Sequence, residues 1–154
     1  MIMKSLRIPS SVKIIIFGNN FDQPVDIIKF PETIEKIVFG YNFNQPIDNI
    51  TFPEGIRFIK FGWNFNQPVI KTKFPSSLRS IHFGWKFNQS LDNLPDTIEQ
   101  LFFEIIYSDL TNLPLSVKEI ILGDRRYHSY SMMKLYKLPY SCIVVDKHGN
   151  ILRQ

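Results

Sequence analysis

The sequence predicts a repeat solenoid, mainly β, with short parallel strands, irregular or short 3-10 returns and little helix. Three observations lead there. First, the block Phe39-Gly-Tyr-Asn-Phe-Asn-Gln-Pro-Ile47 recurs as Phe17-Gly-Asn-Asn-Phe-Asp-Gln-Pro-Val25 and Phe61-Gly-Trp-Asn-Phe-Asn-Gln-Pro-Val69. A looser copy is Phe83-Gly-Trp-Lys-Phe-Asn-Gln-Ser-Leu91, and each copy lies 22 residues from the last. A fixed period between about 20 and 50 residues marks stacked repeats. Second, apolar residues recur with gaps of three and then two, as in Ile34, Ile37 and Phe39. The last two of each trio alternate as a short strand does. Third, the rest of each repeat is rich in Asn, Gln, Pro and Asp, which favour turns over regular structure.

The elements follow in order. Met1 to Ile8 is expected to cap the first strand's open edge. Six repeats over about residues 9–123 each open on a proline: Pro9, Pro31, Pro53, Pro75, Pro95 and Pro114. The core trios are Val12, Ile15, Phe17; Ile34, Ile37, Phe39; Ile56, Ile59, Phe61; Leu78, Ile81, Phe83; Ile98, Leu101, Phe103; and Val117, Ile120, Leu122. The last two proline intervals shrink to 20 and 19 residues. Pro31 to Phe43 and Pro95 to Tyr107 both span 12 residues, which assigns the shortening to the segment after the aromatic. Residues 124–154 read as a C-terminal cap of the same single domain. In it, residues 124–136 can form a short helix, 142–146 a final strand, 147–150 a turn, and 151–154 a segment pairing back.

Near-identical strands one repeat apart should lie side by side, stacking their side chains in columns. One column is expected from Phe21, Phe43, Phe65, Phe87 and Tyr107, and another from Phe30, Phe52, Phe74, Leu94 and Leu113. Asn20, Asn42 and Asn64 form a polar column, and Gln23, Gln45, Gln67 and Gln89 a second. An irregular return leaves backbone groups without ladder partners, and amide side chains can satisfy them. These columns therefore read as structural ladders, with a polar binding stripe as the alternative. The Asn column should end at Lys86.

Composition narrows the function classes. The chain has 154 residues with 44% hydrophobic and 21% charged, and a mild net charge of +4. Nucleic acid and anionic membranes are not indicated by that balance. Cys142 is the sole cysteine, which excludes a disulfide framework and a cysteine-based zinc site and favours an intracellular, cytoplasmic setting. The N-terminus carries no signal peptide or membrane span. No phosphate loop, nucleophile elbow or metal-binding helix motif is present, so no catalytic residue, metal or cofactor is assigned. His82, His128 and His148 fall on different repeats. Arg125-Arg-Tyr-His128 reads as a solvated basic loop, and Asp26, Asp48 and Asp92 as turn residues rather than metal ligands.

The pattern Pro-x-x-Ile-x-x-Ile-x-Phe-Gly-x-x-Phe-Asn-Gln-Pro-Ile resembles the FNIP repeat, a relative of the leucine-rich repeat. The matching blocks are Phe21-Asp-Gln-Pro24, Phe43-Asn-Gln-Pro46, Phe65-Asn-Gln-Pro68 and Phe87-Asn-Gln-Ser90, and the resemblance covers roughly residues 6 to 123. It implies a right-handed, curved, leucine-rich-repeat-like solenoid with its parallel sheet on the concave face. Similar proteins are known mainly from social amoebae and from giant viruses of amoebae. Many carry an F-box ahead of the repeats. Here the first repeat starts within ten residues, so the chain is read as having no room for one. The family brings no catalytic residues.

In strands of that kind the residues between core positions face the concave surface. There the middle repeats would show Tyr41, Phe58, Lys60, Trp63, His82 and Trp85, with Arg57 and Arg79 beside them. Aromatics with arginine nearby are typical interface anchors. This predicts a non-enzymatic module that binds a protein partner. The alternatives are tryptophan rings folded over the Gly62 and Gly84 turns, a self-associating structural or viral protein, and single-stranded nucleic-acid binding through Arg57, Lys60 and Arg79.

Overall fold

Every turn of the chain begins the same way. In the computed structural model, which describes residues 7–153, each opening proline uses its carbonyl to close a four-residue turn. The amides of Val12, Ile34, Ile56, Leu78, Ile98 and Val117 donate to the carbonyls of Pro9, Pro31, Pro53, Pro75, Pro95 and Pro114 at 3.1–3.2 Å. Proline is tolerated here because the turn's first position supplies only its carbonyl as acceptor. The chain then enters a strand of three or four residues. These are β1 (Ile14–Ile16), β2 (Lys36–Val38), β3 (Phe58–Lys60), β4 (Ser80–Phe83), β5 (Gln100–Phe103) and β6 (Glu119–Leu122).

The strands pair in chain order, parallel and in strict register, so that Ile15, Ile37, Ile59, Ile81, Leu101 and Ile120 form one column, buried from Ile37 onward with Ile15 partly buried at its end. Their neighbours on either side point to the opposite, solvent face. Beyond β6 the coil continues for one more turn. A 3-10 turn (Arg125–Tyr127) runs into the short helix α1 (His128–Met132), and then β7 (Ile143–Asp146) pairs parallel to β6. The last strand, β8 (Ile151–Arg153), pairs antiparallel to β7. Reversing direction ends the stacking series. The N-terminal cap expected over residues 1–8 lies almost wholly outside the described residues.

The core is a double file of phenylalanines. Phe39, Phe61 and Phe83 stack on the next turn's ring at 5.5–5.8 Å, while within each turn Phe39–Phe43, Phe61–Phe65 and Phe83–Phe87 stack at 4.0–4.1 Å. The second file, Phe21–Phe43–Phe65–Phe87, repeats at 6.1–6.2 Å. It does not continue to Tyr107. In the fifth turn Ile106 is buried and takes the core place, and Leu110 follows it by four residues as Leu91 follows Phe87. The fifth repeat has therefore lost a residue before the aromatic position, not only after it.

The return-side column also differs from the expectation. Phe52 and Phe74 stack at 6.0 Å. Leu94, however, matches Ile28, Ile50 and Thr72, because each donates its amide to the residue three earlier, at Leu91, Val25, Ile47 and Val69 respectively. The shorter repeats omit the residues that would carry the next phenylalanine.

The polar half of each turn is tied to its predecessor by side-chain amides. Asn64 Nδ2 donates to Asn42 Oδ1 at 3.0 Å, and Asn42 Nδ2 to Asn20 Oδ1 at 3.4 Å. Lys86 follows in that column and makes no such bond among the described residues. The glutamines do not bond one another. Gln45, Gln67 and Gln89 donate to the carboxylate or amide oxygens of Asp22, Asn44 and Asn66 one turn back. Those same oxygens accept the backbone amides of Asn44, Asn66 and Asn88 at 2.9 Å. The second residue of the Phe-Asn-Gln block, which was not singled out in the sequence, is thus the hub of the ladder.

Glycine is required where the strand turns away. A Cβ on Gly40, Gly62 or Gly84 would sit 1.8–2.1 Å from the carbonyl oxygen of the glycine one turn before. Backbone packed this closely has room only for hydrogen.

Candidate functional site

The solvent face of the sheet carries two side-chain columns, set by register. One is Lys36, Phe58, Ser80, Gln100 and Glu119; the other is Val38, Lys60, His82, Phe102 and Ile121. Just past the strands, beyond the glycine turn, stands a third column of Tyr41, Trp63 and Trp85. Its rings stack on each other at 5.6 and 4.8 Å, within 11° of parallel. Tyr127, from the 3-10 turn, meets Trp85 edge-on at 5.2 Å and closes that end. Tyr41 is 48% and Trp63 37% exposed, and Trp85 is half-buried. The tryptophans therefore both pack and show: their faces lie against one another while their edges meet solvent. The column's next member beyond Tyr41 is Asn19, so only the Tyr41 end is open to a further ring.

An open groove of about 280 Å³ runs between these columns. Val38, Lys60 and His82 form one wall, Tyr41, Trp63 and Trp85 the other, and the glycine turns the floor. Five of the residues expected on the binding face meet here: Tyr41, Lys60, Trp63, His82 and Trp85. Phe58, Arg57 and Arg79 do not line it. Phe58 lies under the Lys36 ammonium, 4.7 Å from the ring centroid. Arg79 donates to the carbonyls of Ser76 and Leu78 and lies 3.8 Å from Glu99. Arg57 is exposed in the column that leads into the strands. In that column neighbouring turns pair their charges, as Lys13 does with Glu35 and Lys118 with Glu99.

Glu104 closes the groove and was not flagged in the sequence. It occupies the place of Gly40, Gly62 and Gly84 in the fifth turn, and that substitution is the signal by which it could have been found. Its carboxylate lies 3.8 Å from His82 Nε2. His82 packs against Phe102, with ring centroids 3.7 Å apart. Burial pushes the His82 imidazole below its ordinary range, the Lys60 charge adds to the shift, and the Glu104 contact opposes it. His82 is thus neutral at neutral pH.

Chemically, the groove presents aromatic edges, one lysine, one carboxylate and an imidazole. Among the described residues no group of three or more His, Cys, Asp or Glu side chains could hold a metal ion. None of the described helices is long and apolar enough to cross a membrane.

The FNIP Repeat family profile matches residues 3–42, 27–64, 43–72 and 65–104. The chain belongs to the FNIP-repeat family. Among solved structures the FNIP-repeat chain is similar to CroV588, a novel circular LRR protein, at a TM-score of 0.63 and 25% sequence identity. That similarity covers 90% of this chain and 24% of CroV588, so the chain spans about a quarter of that protein's length. No curated protein matches the sequence. The fold is a leucine-rich-repeat-like β-solenoid, and FNIP repeats on such a fold generally suggest a protein-interaction module.

Proposed function

We propose that this FNIP-repeat protein is a non-enzymatic interaction module that binds a protein partner across the solvent face of its sheet, centred on Tyr41, Trp63 and Trp85. The observation that carries this reading is the stacked aromatic column standing half-exposed beside a groove with a glycine floor. Rigid aromatic edges next to a cavity are what interface hot spots are made of, because they bury much area at little entropic cost. Nucleic acid is not favoured by the same geometry, since the rings occupy one another's faces and leave one end for a base to stack on.

The test is partner capture from a cell lysate by the wild type and by a Trp63→Ala/Trp85→Ala variant. Two lost hot-spot aromatics should weaken binding by roughly 100-fold or more. The variant also loses three ring contacts, Tyr41–Trp63, Trp63–Trp85 and Trp85–Tyr127, at about 0.5–1.5 kcal/mol each, so capture by both proteins is compared below the variant's thermal midpoint. An identical set of partners on both proteins refutes the reading.

A second reading, self-association, is favoured by Ile14 and Ile16, which are 55% and 70% exposed on β1, the first of the described strands. Light scattering over a wide concentration range checks it. A constant monomer mass counts against it.

A further inference from the structure

Three features of the groove stand apart from the rest of the face. Glu104 breaks a rule that the three preceding turns obey: where they need glycine, the fifth turn places a carboxylate. Places where a repeat breaks its own local rule are expected to be functional or strained. Among the described residues, moreover, no lysine or arginine lies within ion-pair distance of Glu104, whose sole charged-type neighbour is His82 at 3.8 Å. Lys60, half-buried in the groove wall, has no carboxylate within ion-pair distance among the described residues either. Elsewhere on the sheet's rim neighbouring turns pair such charges.

The two groups lie on turns two apart, β3 and the end of β5, so their backbones stand roughly 10 Å apart across the strands at about 4.8 Å per strand, with Glu104 two residues further along the chain than Phe102, the register partner of Lys60 on β5. Between them run apolar walls. Trp63 and Trp85 stand on one side, and His82, which burial holds neutral, packs on Phe102 on the other. The whole solvent face follows the same polarity, with Lys36 and Lys60 towards β2 and β3, and Glu104 and Glu119 towards β5 and β6.

We propose that the groove reads a dipolar, extended polypeptide segment of the partner, seating an acidic side chain on Lys60 and a lysine or arginine side chain on Glu104 and His82. This rests on the reading above that the partner binds across this face. A polyproline-II-like segment, with 3 residues per turn and about 3.1 Å rise per residue, puts positions i and i+3 on one side roughly 9 Å apart. That is close to the cross-strand spacing of Lys60 and Glu104, and the two long side chains span the offset along the strands. The basic side chain's methylenes lie along the tryptophan edges, and its charge reaches the carboxylate.

Displayed random heptapeptides selected on the immobilised protein test this directly. The expected result is enrichment of an acidic and a basic residue three positions apart. A synthetic peptide of the enriched sequence is then titrated by fluorescence anisotropy. Glu104→Gln should weaken it roughly tenfold or more. That loss should vanish for the peptide with its basic residue changed to glutamine. Lys60→Met should behave likewise towards the acidic position. Because the peptide-side changes leave the protein untouched, they hold even if a protein variant is poorly folded.

Selected peptides without the charge pair, an affinity indifferent to both substitutions, or no selection at all overturn the proposal. A dimer of the protein that Glu104→Gln dissolves also overturns it, by making a second copy the occupant. Peptides that lack the charge pair but are lost on Trp63→Ala/Trp85→Ala overturn this inference while leaving the proposed function standing. Peptides indifferent to the double tryptophan change count against the proposed function itself.

Discussion

Two glycines that the sequence treats as equivalent should respond oppositely to alanine. In Gly62→Ala the new Cβ would lie 1.8 Å from the Gly40 carbonyl oxygen and 2.6 Å from its carbon, where real Cβ atoms essentially never come under 3.0 Å. The obstacle is backbone, so no side chain can swing aside. The third turn must move away from the second by more than an ångström. That strains the Phe39–Phe61 stack at 5.5 Å and the bond from the Phe39 amide to the Lys60 carbonyl at 2.8 Å. Overpacking costs about 1–3 kcal/mol, with the upper end apt for a backbone clash. A weakened backbone bond adds about 1 kcal/mol. A loss near 3 kcal/mol corresponds to a fall of roughly 6–12 °C in a chain of this size, at about 2–4 °C per kcal/mol. Among the described residues, nothing lies within 4 Å of the equivalent Cβ at Gly18. There alanine should shift the midpoint by no more than about 1 kcal/mol, in the stabilising direction, by restricting the unfolded chain. Thermal and urea melts followed by circular dichroism read both variants. Equal shifts at the two glycines would refute the argument that turn-to-turn contact, rather than local conformation, fixes this position.

Further predictions follow from the ladder and from the buried titratable groups. Asn66→Ala removes the acceptor of the Asn88 amide at 2.9 Å and of Gln89 Nε2 at 3.0 Å, and should cost about 1–2 kcal/mol in urea denaturation. Asn20→Ala loses one exposed contact of 3.4 Å and should cost under about 0.5 kcal/mol. His82 has its folded pKa depressed below the ordinary 6.5, so the unfolded chain takes up this proton first as pH falls. Stability attributable to His82 is therefore full above the unfolded value and declines as pH drops through 6.5 towards the folded value, and His82→Gln should flatten that slope in melts between pH 5 and 8. Burial raises the Cys142 thiol to about 11, so native protein should resist alkylation at pH 8 and react only as it unfolds, which mass spectrometry checks. Rapid native-state labelling would contradict the packing of that side chain.

The core was legible because periodicity reports it directly. The file from Phe21 to Phe87 is one residue type recurring every 22 residues, and the column from Ile15 to Ile120 keeps Ile or Leu while its interval shrinks from 22 to 20 and 19, and burial admits few other arrangements. What periodicity cannot report is where a shortened repeat has lost its residues. Counting from Pro95 favours Tyr107 because it is aromatic, whereas the hydrogen-bonded turns and the burial of Ile106 show that shape filled the place. The amide columns show a second limit. Asn44 and Gln45 recur equally well, and nothing in their spacing says that the asparagine accepts and the glutamine donates. The aromatic column was visible as two tryptophans at matching positions. That their faces would close on one another, with Tyr127 across the end, depends on a segment outside the repeat pattern.

The groove exists because regularity stops. In the first four turns the glycine column keeps the strands' exits flush, and from the second to the fourth the aromatic column rises beside it. Continued identically, this would be an open channel along the whole sheet, with no feature to place a partner along its length. The fifth turn ends that uniformity with Glu104, and the sixth leads to the 3-10 turn that sets Tyr127 against Trp85. At the other end Asn19 takes the aromatic place and Ile16 lies exposed. A segment bound as proposed would meet a closed, carboxylate-bearing end and an open, apolar one. This asymmetry can fix the direction in which a chain lies, which repeated turns alone cannot do. If so, moving the glutamate one turn back, by Gly84→Glu with Glu104→Gly, cannot simply move the site. A Cβ at residue 84 would fall 1.9 Å from the Gly62 carbonyl oxygen. The closed end is tied to the one place where the stacking was already broken.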